Sequence, residues 1–280
     1  MRALRIIAAM LVAAVLIAGA GCKKEAEEPA LEPTIAPPAI AKAGVLRAGV
    51  DLDYPPFAGT VDGETVGIDV DVAAAIAERL GLELELVDVK PEGLGAALAE
   101  GDVDIALGAV PIADAVVADV AVAGSYLVDG PAIFSVVTTA SAEPTPTAAS
   151  LGGRRVGVQT GTLGYWRLQD DYGSGFATEF DTLEQAFAAL AAGELDVVVC
   201  DAVVGGYLGR DFPDVRLRGQ YGAAAPLGVT VAPEATELEQ AVRETLDTLA
   251  AEGVLDTIRR KWVGELPRLE VPSSEATATP

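Results

Sequence analysis

Two stretches of this chain repeat the same order of strands and helices, and this repeat limits the folds that the chain can adopt. The first runs from Val45 to Val110 and the second from Arg155 to Val203. Their last strands have similar sequences, GDVDIALGAV at 101–110 and GELDVVVCDAV at 193–203. Alternating strands and helices form a mainly parallel sheet with helices on its faces. The sequence therefore predicts an α/β protein of two similar lobes, with a ligand cleft between them.

The first repeat places polar and aromatic side chains after its first strand. A strand over Val45–Val50 leads into a loop with Asp51 and Tyr54, and apolar spacing predicts a helix over Asp71–Leu80. Ligands of open α/β sheets bind at the carboxyl ends of the strands. Asp51 and Tyr54 are therefore candidate binding residues. The alternative is that Tyr54 caps the core and Asp51 is only solvated.

The second repeat contributes an acidic residue and a helix start. Asp201 directly follows the apolar strand Leu195–Cys200, so its carboxylate is expected at the carboxyl end of that strand. The alternative is an N-cap for a helix that begins at Ala202. Gly161 and Thr162 open the helix after VGVQ, where free N–H groups and the helix dipole favour an anion.

Composition excludes several classes of function. The chain has 19 basic and 42 acidic residues, a net charge of -23, which argues against nucleic acid as a partner. It has no histidine, which excludes Ser-His-Asp and Cys-His catalysis and His-ligated metal sites. Walker A and G-x-S-x-G motifs are absent. We expect a monomer with no enzymatic activity, no cofactor and no metal, and Cys200 as a small buried residue.

The amino-terminal region predicts export. Two arginines precede an apolar run that is shorter than a membrane span, and Gly19 begins a small-residue stretch that ends at Cys22. This pattern is similar to the lipobox of bacterial lipoproteins, which implies cleavage after residue 21 and lipid attachment to Cys22. Ordinary secretion is the alternative. We expect residues 22–44 to form a disordered tether and 267–280 a disordered tail.

Most of the chain, from Val45 to Gly264, resembles the family 3 extracellular solute-binding proteins of bacterial ABC importers. The resemblance implies a type II periplasmic-binding-protein-like fold, with lobe 1 from residues 45–128 plus 225–266 and lobe 2 from 131–222. It also implies an extracytoplasmic protein that captures a small polar solute, an amino acid or a cationic amine, for an ABC permease, and the lipobox-like sequence implies that this protein is lipid-anchored. The matching segments are LRAGVDLDYPPF, VGIDVDVAAAIAERLG and AEGVLDTIRRKWVG.

The resemblance also implies roles for single residues. The aspartate matching Asp201 holds the α-ammonium of the ligand, and the residues matching Gly161 and Thr162 meet its carboxylate. Asp51 matches a position that pairs with the side-chain ammonium in members selective for basic amino acids. Tyr54 matches the aromatic residue that packs on the aliphatic part of the ligand.

One family motif is missing. In the family, a Ser/Thr-x-Thr-x-x-Arg segment binds the ligand carboxylate. Its three named positions are Pro111, Ala113 and Val116 in this sequence. In addition, the second threonine of the family's Gly-Thr-Thr sequence is replaced by Leu163. Arginine is the residue best suited to two-pronged carboxylate binding. Three interpretations stay open: a ligand without a carboxylate, a carboxylate met only by the amides of Gly161 and Thr162, or a member that binds nothing. Other functions consistent with the sequence are a cleft enzyme that dehydrates cyclic carboxylates and a ligand-sensing subunit.

Overall fold

The structure is a computed structural model that describes residues 32–108, 111–112, 120–137 and 146–272. Three residues singled out above, Cys22, Ala113 and Val116, lie outside the described residues. Within the described ranges, we find no helix with the length and apolar character needed to cross a bilayer. The elements in chain order are β1 (Val45–Val50), β2 (Gly59–Val61), β3 (Glu64–Val66), α1 (Ile68–Leu80), β4 (Glu83–Asp88), α2 (Leu94–Glu100), β5 (Ile105–Ala106), β6 (Ala121–Asp129), β7 (Pro131–Val136), β8 (Val156–Gln159), α3 (Leu163–Tyr172), β9 (Thr178–Phe180), α4 (Leu183–Ala191), β10 (Val197–Asp201), α5 (Ala202–Leu208), β11 (Val215–Gln220), β12 (Ala225–Val231), α6 (Thr236–Ala251) and α7 (Val254–Val263).

The described strands form two five-stranded sheets and the small β2-β3 hairpin. The first sheet has the order β4-β1-β5-β12-β6, and the second has the order β11-β7-β10-β8-β9. In each sheet the strands of one repeat are parallel, and strands from elsewhere in the chain add antiparallel pairs. We call the parts built on these sheets lobe 1 and lobe 2. The predicted two-lobed α/β fold is confirmed.

Two crossing segments join the sheets. Strand β6 of the first sheet leads through Gly130 into β7 of the second, and β11 leads back into β12. The segments touch each other, because the N–H of Tyr221 donates to the carbonyl of Pro131 at 2.8 Å. A Cβ atom at Gly130 would lie 2.7 Å from the Cα atom of Ala224, so only glycine fits there. Asp129 and Asp201 therefore lie beside the crossing, at the ends of β6 and β10.

Helix α1 shows how the sequence determines the core of lobe 1. Its buried face carries Val72, Ile76 and Leu80, which recur at helical spacing. The helix begins at Ile68, three residues before the predicted start, and ends before Gly81 in the left-handed conformation. The earlier start adds the side chain of Asp69 to the buried face. The spacing of apolar residues does not predict this first turn of α1, because an aspartate is not expected on a buried helix face.

The described part of the segment before β1, residues 32–44, is packed onto lobe 1, whereas the sequence predicts a disordered tether over residues 22–44. The N–H of Thr34 donates to the carbonyl of Leu80 at 2.9 Å. Ile35 and Ile40 are 6% and 1% exposed and belong to the core of lobe 1. The average composition of this proline-rich segment is that of a linker, yet two well-placed isoleucines are enough to bind it to the core.

Shortening Ile40 should therefore destabilise the folded protein. We expect Ile40→Val to lower the free energy of unfolding by about 1 kcal/mol, because a buried methylene group is lost and a small cavity remains. Urea denaturation measures this change. The control is Val61→Ala, since Val61 is 52% exposed and its truncation should have little effect. Equal stability of Ile40→Val and the wild type would show that the segment is not part of the folded core.

The described part of the carboxyl-terminal segment also differs from the predicted disordered tail. Beyond α7, Leu266 packs against the cores of both lobes, and Leu269 packs against lobe 2. The N–H of Glu270 donates to Oε1 of Gln220 at 2.8 Å, and Nε2 of Gln220 donates to the carbonyl of Glu270 at 2.8 Å. Residues 266–272 thus lie along lobe 2, held by apolar contacts and by paired hydrogen bonds to β11.

Candidate functional site

Asp201 lies at the carboxyl end of β10, where the sequence places it. Its side chain makes no capping bond to α5 and no hydrogen bond to any residue that the structure describes. The capping bond is made instead by Asp129, whose Oδ1 accepts from the N–H of Val203 at 3.0 Å and from the N–H of Gly130 at 2.8 Å. Asp201 therefore occupies the N-cap position of α5, but its carboxylate makes no capping bond and is available to another group.

Burial makes both of these carboxyl groups harder to ionise. Burial, and to a smaller extent the charge of Asp201, raise the pKa of Asp129 to about 7 against the hydrogen bonds that lower it. Burial also raises the pKa of Asp201, while the positive charge of Arg167 lowers it. A cation placed between the two carboxyl groups would lower the pKa of both.

Tyr54 connects the acidic groups of the two lobes. Its ring stacks on Phe57 with centroids 5.2 Å apart, and it is 37% exposed. Burial raises the pKa of Tyr54 to about 12, as do the charges of four carboxylates, in decreasing order those of Asp201, Asp129, Asp69 and Asp51. The charges of aspartates that are far apart in the sequence therefore act on one aromatic side chain. An aromatic face among carboxylates is an environment that favours an organic cation.

Asp51 already has a cationic partner within the chain. Nζ of Lys90 lies 2.6 Å from Oδ1 of Asp51 and 2.8 Å from Oδ2 of Asp53. Burial raises the pKa of Asp51, but the hydrogen bonds from Lys90 and from the N–H of Asp53 outweigh it and leave the pKa lowered. A ligand ammonium at Asp51 would have to share it with Lys90. No local sequence pattern indicates this pairing.

At the start of α3, backbone N–H groups rather than a hydroxyl group are available to bind an anion. Gly161 has a φ of 79°, which glycine adopts without strain. Oγ1 of Thr162 donates to the carbonyl of Gln159 at 2.8 Å and accepts from the N–H of Tyr165 at 3.3 Å. The Thr162 hydroxyl thus serves as the N-cap of α3. What Thr162 can offer an anion here is its backbone N–H.

The structure adds residues that the sequence analysis did not select as site residues. Asp69 is 1% exposed and its Oδ1 accepts from the hydroxyl of Tyr126 at 2.6 Å, while its Oδ2 has no partner among the described residues. The charge of Asp201 acts on Asp129, and the charge of Arg167 acts on Asp201. Asp129 could have been predicted from the sequence as a site residue, because it ends an apolar strand as Asp201 does. Asp69 and Arg167 carry no comparable signal, since each lies within a helix.

A large cavity lies elsewhere in the molecule. It measures about 1040 Å³ and is lined by β6, α7 and residues 266–271. None of the predicted site residues borders it, and its two facing charges, Asp256 and Arg259, already pair at 2.8 Å. The candidate site is therefore the group of carboxylates around Tyr54.

Comparisons with known proteins point to solute binding. The family model described as bacterial extracellular solute-binding proteins, family 3, matches residues 46–265. The L-cystine-binding protein TcyJ of Escherichia coli K12 is 26% identical over 257 residues, which is 91% of this chain and 93% of that protein. The L-arginine-binding protein of Pseudomonas aeruginosa is 28% identical over 241 residues, which is 80% of this chain and 90% of that protein.

A solved structure shows the same fold. The ancestral cationic amino acid solute-binding protein AncCDT-1 superposes with a TM-score of 0.69 at 27% identity, covering 79% of this chain and 96% of that chain. An ancestral arginine-binding protein bound to arginine has a TM-score of 0.57 at 29% identity, covering 79% of this chain and 99% of that chain.

Proposed function

We propose that this chain, which belongs to family 3 of the bacterial extracellular solute-binding proteins, captures a small solute bearing an ammonium group and presents it to an ABC permease. Relatives named for cystine, arginine and histidine support an amino acid or a related amine. The observation that carries the proposal is the carboxylate of Asp201, half-buried beside the crossing segments and without a hydrogen-bond partner among the described residues.

The charge around Tyr54 supports a cationic group on the solute. A hydrogen bond from an ammonium to a carboxylate contributes about 1.5–3 kcal/mol, more than a bond between neutral groups. In our proposal Asp201 holds the ammonium from lobe 2 and Tyr54 packs against the solute from lobe 1. Asp51 acts together with Lys90, and the backbone at Gly161 and Thr162 faces the solute from the start of α3.

Contacts from both lobes give a reason for closure. A solute that touches Tyr54 and Asp201 at once stabilises the closed arrangement over the open one, and the crossing segments supply the hinge. We propose that the protein acts as a monomer and has no catalytic role. The carboxyl group of Asp129, whose pKa is about 7, is held by the backbone N–H groups of Gly130 and Val203 rather than directed at a substrate.

A thermal-shift series tests the proposed class of solute. We expect at least one of L-arginine, L-histidine, L-cystine, agmatine and putrescine to raise the melting temperature, because binding to the folded state alone stabilises it. Succinate and glucose, which have no ammonium group, are the controls and should give no shift. A shift with succinate or glucose and none with the amines would contradict the proposal.

We also propose that the chain is anchored outside the cytoplasm by a lipid on Cys22. Family members are extracellular binding proteins, and Cys22 follows the small residues of a lipobox-like sequence. In a bacterial host fed an alkyne fatty acid, Cys22→Ser should lose the lipid label completely. Cys200→Ser is the matched control and should keep the label, because Cys200 is buried in lobe 2. A label that persists in Cys22→Ser would exclude this anchor.

A further inference from the structure

Arg167 on α3 is a cation near the candidate site without a bound partner. Its side chain is half-buried, and it makes no ion pair or hydrogen bond with any residue in the described ranges. Its guanidinium lies against Gly222 in the second crossing segment, because a Cβ atom on Gly222 would overlap Nη1 of Arg167. A guanidinium that is partly removed from water and left unpaired favours a negatively charged group beside it.

The backbone brings Arg167 and Asp201 to the same place. Asp201 is paired with Pro131 across strands β10 and β7. The N–H of Gly222 donates to the carbonyl of Pro131 at 3.3 Å, and Arg167 lies against Gly222. Asp201 and the guanidinium of Arg167 thus both lie near Pro131 at the crossing between the lobes. No ion pair joins them, although the charge of Arg167 is close enough to lower the pKa of Asp201 against the effect of burial.

We propose that Arg167 binds the carboxylate of the solute whose ammonium group Asp201 holds, so that the protein selects amino acids over the corresponding amines. The inference rests on the proposed function. An amino acid carries both charges on one carbon atom, and it would pair an unpaired anion and an unpaired cation at once. An amine without a carboxylate would bring a second positive charge beside Arg167.

This assignment accounts for the missing family motif. The position where related proteins supply an arginine from lobe 1 is Val116 in this sequence. Arg167 supplies a guanidinium from lobe 2 instead, with the two-pronged geometry that suits a carboxylate. The carboxylate and the ammonium of the solute would then both be held by lobe 2, and lobe 1 would close over the side chain.

Matched ligand pairs test the role of Arg167. Isothermal titration is done with L-arginine and agmatine, which differ only in the carboxylate, and likewise with L-histidine and histamine and with L-lysine and cadaverine. We expect the wild type to prefer the amino acid of at least one pair by about 10-fold or more. Arg167→Gln should lose about 10-fold or more in affinity for that amino acid and none for the amine.

Two further variants control for indirect effects. Arg154→Gln removes an arginine just before β8, at the amino end of the strand, and should leave both affinities unchanged. Arg167→Lys keeps the charge without the planar fork, and it should retain part of the preference. The melting temperature without ligand shows whether each variant is folded. If Arg167→Gln is unfolded, Arg167→Lys alone decides, and its full wild-type preference would overturn the two-pronged contact.

Other outcomes separate the inference from the proposed function. If Arg167→Gln binds the preferred amino acid as tightly as the wild type, Arg167 has no role in carboxylate binding, while the proposed function stands. A wild type that binds the amines better than the amino acids would likewise overturn the role of Arg167 and leave the proposed function standing. If the wild type binds no member of the three pairs and no other amine, both the inference and the proposed function are overturned.

Discussion

Replacing Asp201 by asparagine should weaken binding of an ammonium-bearing solute by about 10-fold or more, because a charge-assisted hydrogen bond becomes a neutral one. The substitution keeps the shape of the side chain and removes only the charge. It should not lower the stability of the protein without ligand, since burial raises the pKa of Asp201 and the folded state therefore disfavours its ionised form. Isothermal titration with the best solute from the thermal-shift series measures the effect.

A second aspartate of lobe 2 provides the control for this experiment. Asp211 is exposed after the end of α5, and Asp211→Asn makes the same change in net charge. The affinity of Asp211→Asn for the solute should equal that of the wild type. This result would exclude the net charge of the protein as the cause of the weaker binding in Asp201→Asn. Unchanged affinity in Asp201→Asn would remove Asp201 from the site.

The second large effect concerns Asp69 and stability. Burial raises the pKa of Asp69 to about 7 from 3.8, although the hydrogen bond from Tyr126 lowers it. The folded state therefore holds a proton that the unfolded state releases at lower pH. The stability that Asp69 contributes is fully present below about pH 4. It is lost as the pH rises to about 7, and the free energy of unfolding falls by about 4 kcal/mol in total.

The Asp69→Asn variant cannot ionise at this position, so its comparison with the wild type isolates this loss. The stability of the variant relative to the wild type should rise between about pH 4 and about pH 8, measured by urea denaturation. Asparagine keeps an oxygen that can accept from the Tyr126 hydroxyl. The control, Asp247→Asn, changes an exposed residue of α6 and should give a difference that does not depend on pH. A constant difference for Asp69→Asn would show that Asp69 ionises normally in the folded protein.

The fold follows largely from local sequence patterns. Helix α1 is predicted because Val72, Ile76 and Leu80 recur at helical spacing, and β10 because an unbroken apolar run precedes Asp201. The place of β12 between β5 and β6 does not follow from any local pattern, since β12 comes after all the strands of lobe 2. The family resemblance was needed to assign that part of the chain to lobe 1.

The site could be predicted only in part. Asp201 is found from the sequence because a strand end and a polar residue coincide there. The pairs that define its surroundings span long stretches of chain: Lys90 and Asp51 are 39 residues apart, and Asp129 and Val203 are 74 residues apart. Which cation meets which carboxylate is decided by the packing of the lobes, and single-sequence patterns do not contain that information.

The course of residues 266–272 affects how the protein could be used as a sensor. In the described chain the lobes are joined by the two crossing segments and also by this third connection, which runs from α7 onto β11. Val271 lies on it, is 43% exposed and lines the large cavity, which none of the candidate site residues borders. A dye attached through Val271→Cys would report opening and closing of the lobes without touching the bound solute. In a protein shortened at Gly264, the lobes would move relative to each other with one connection fewer.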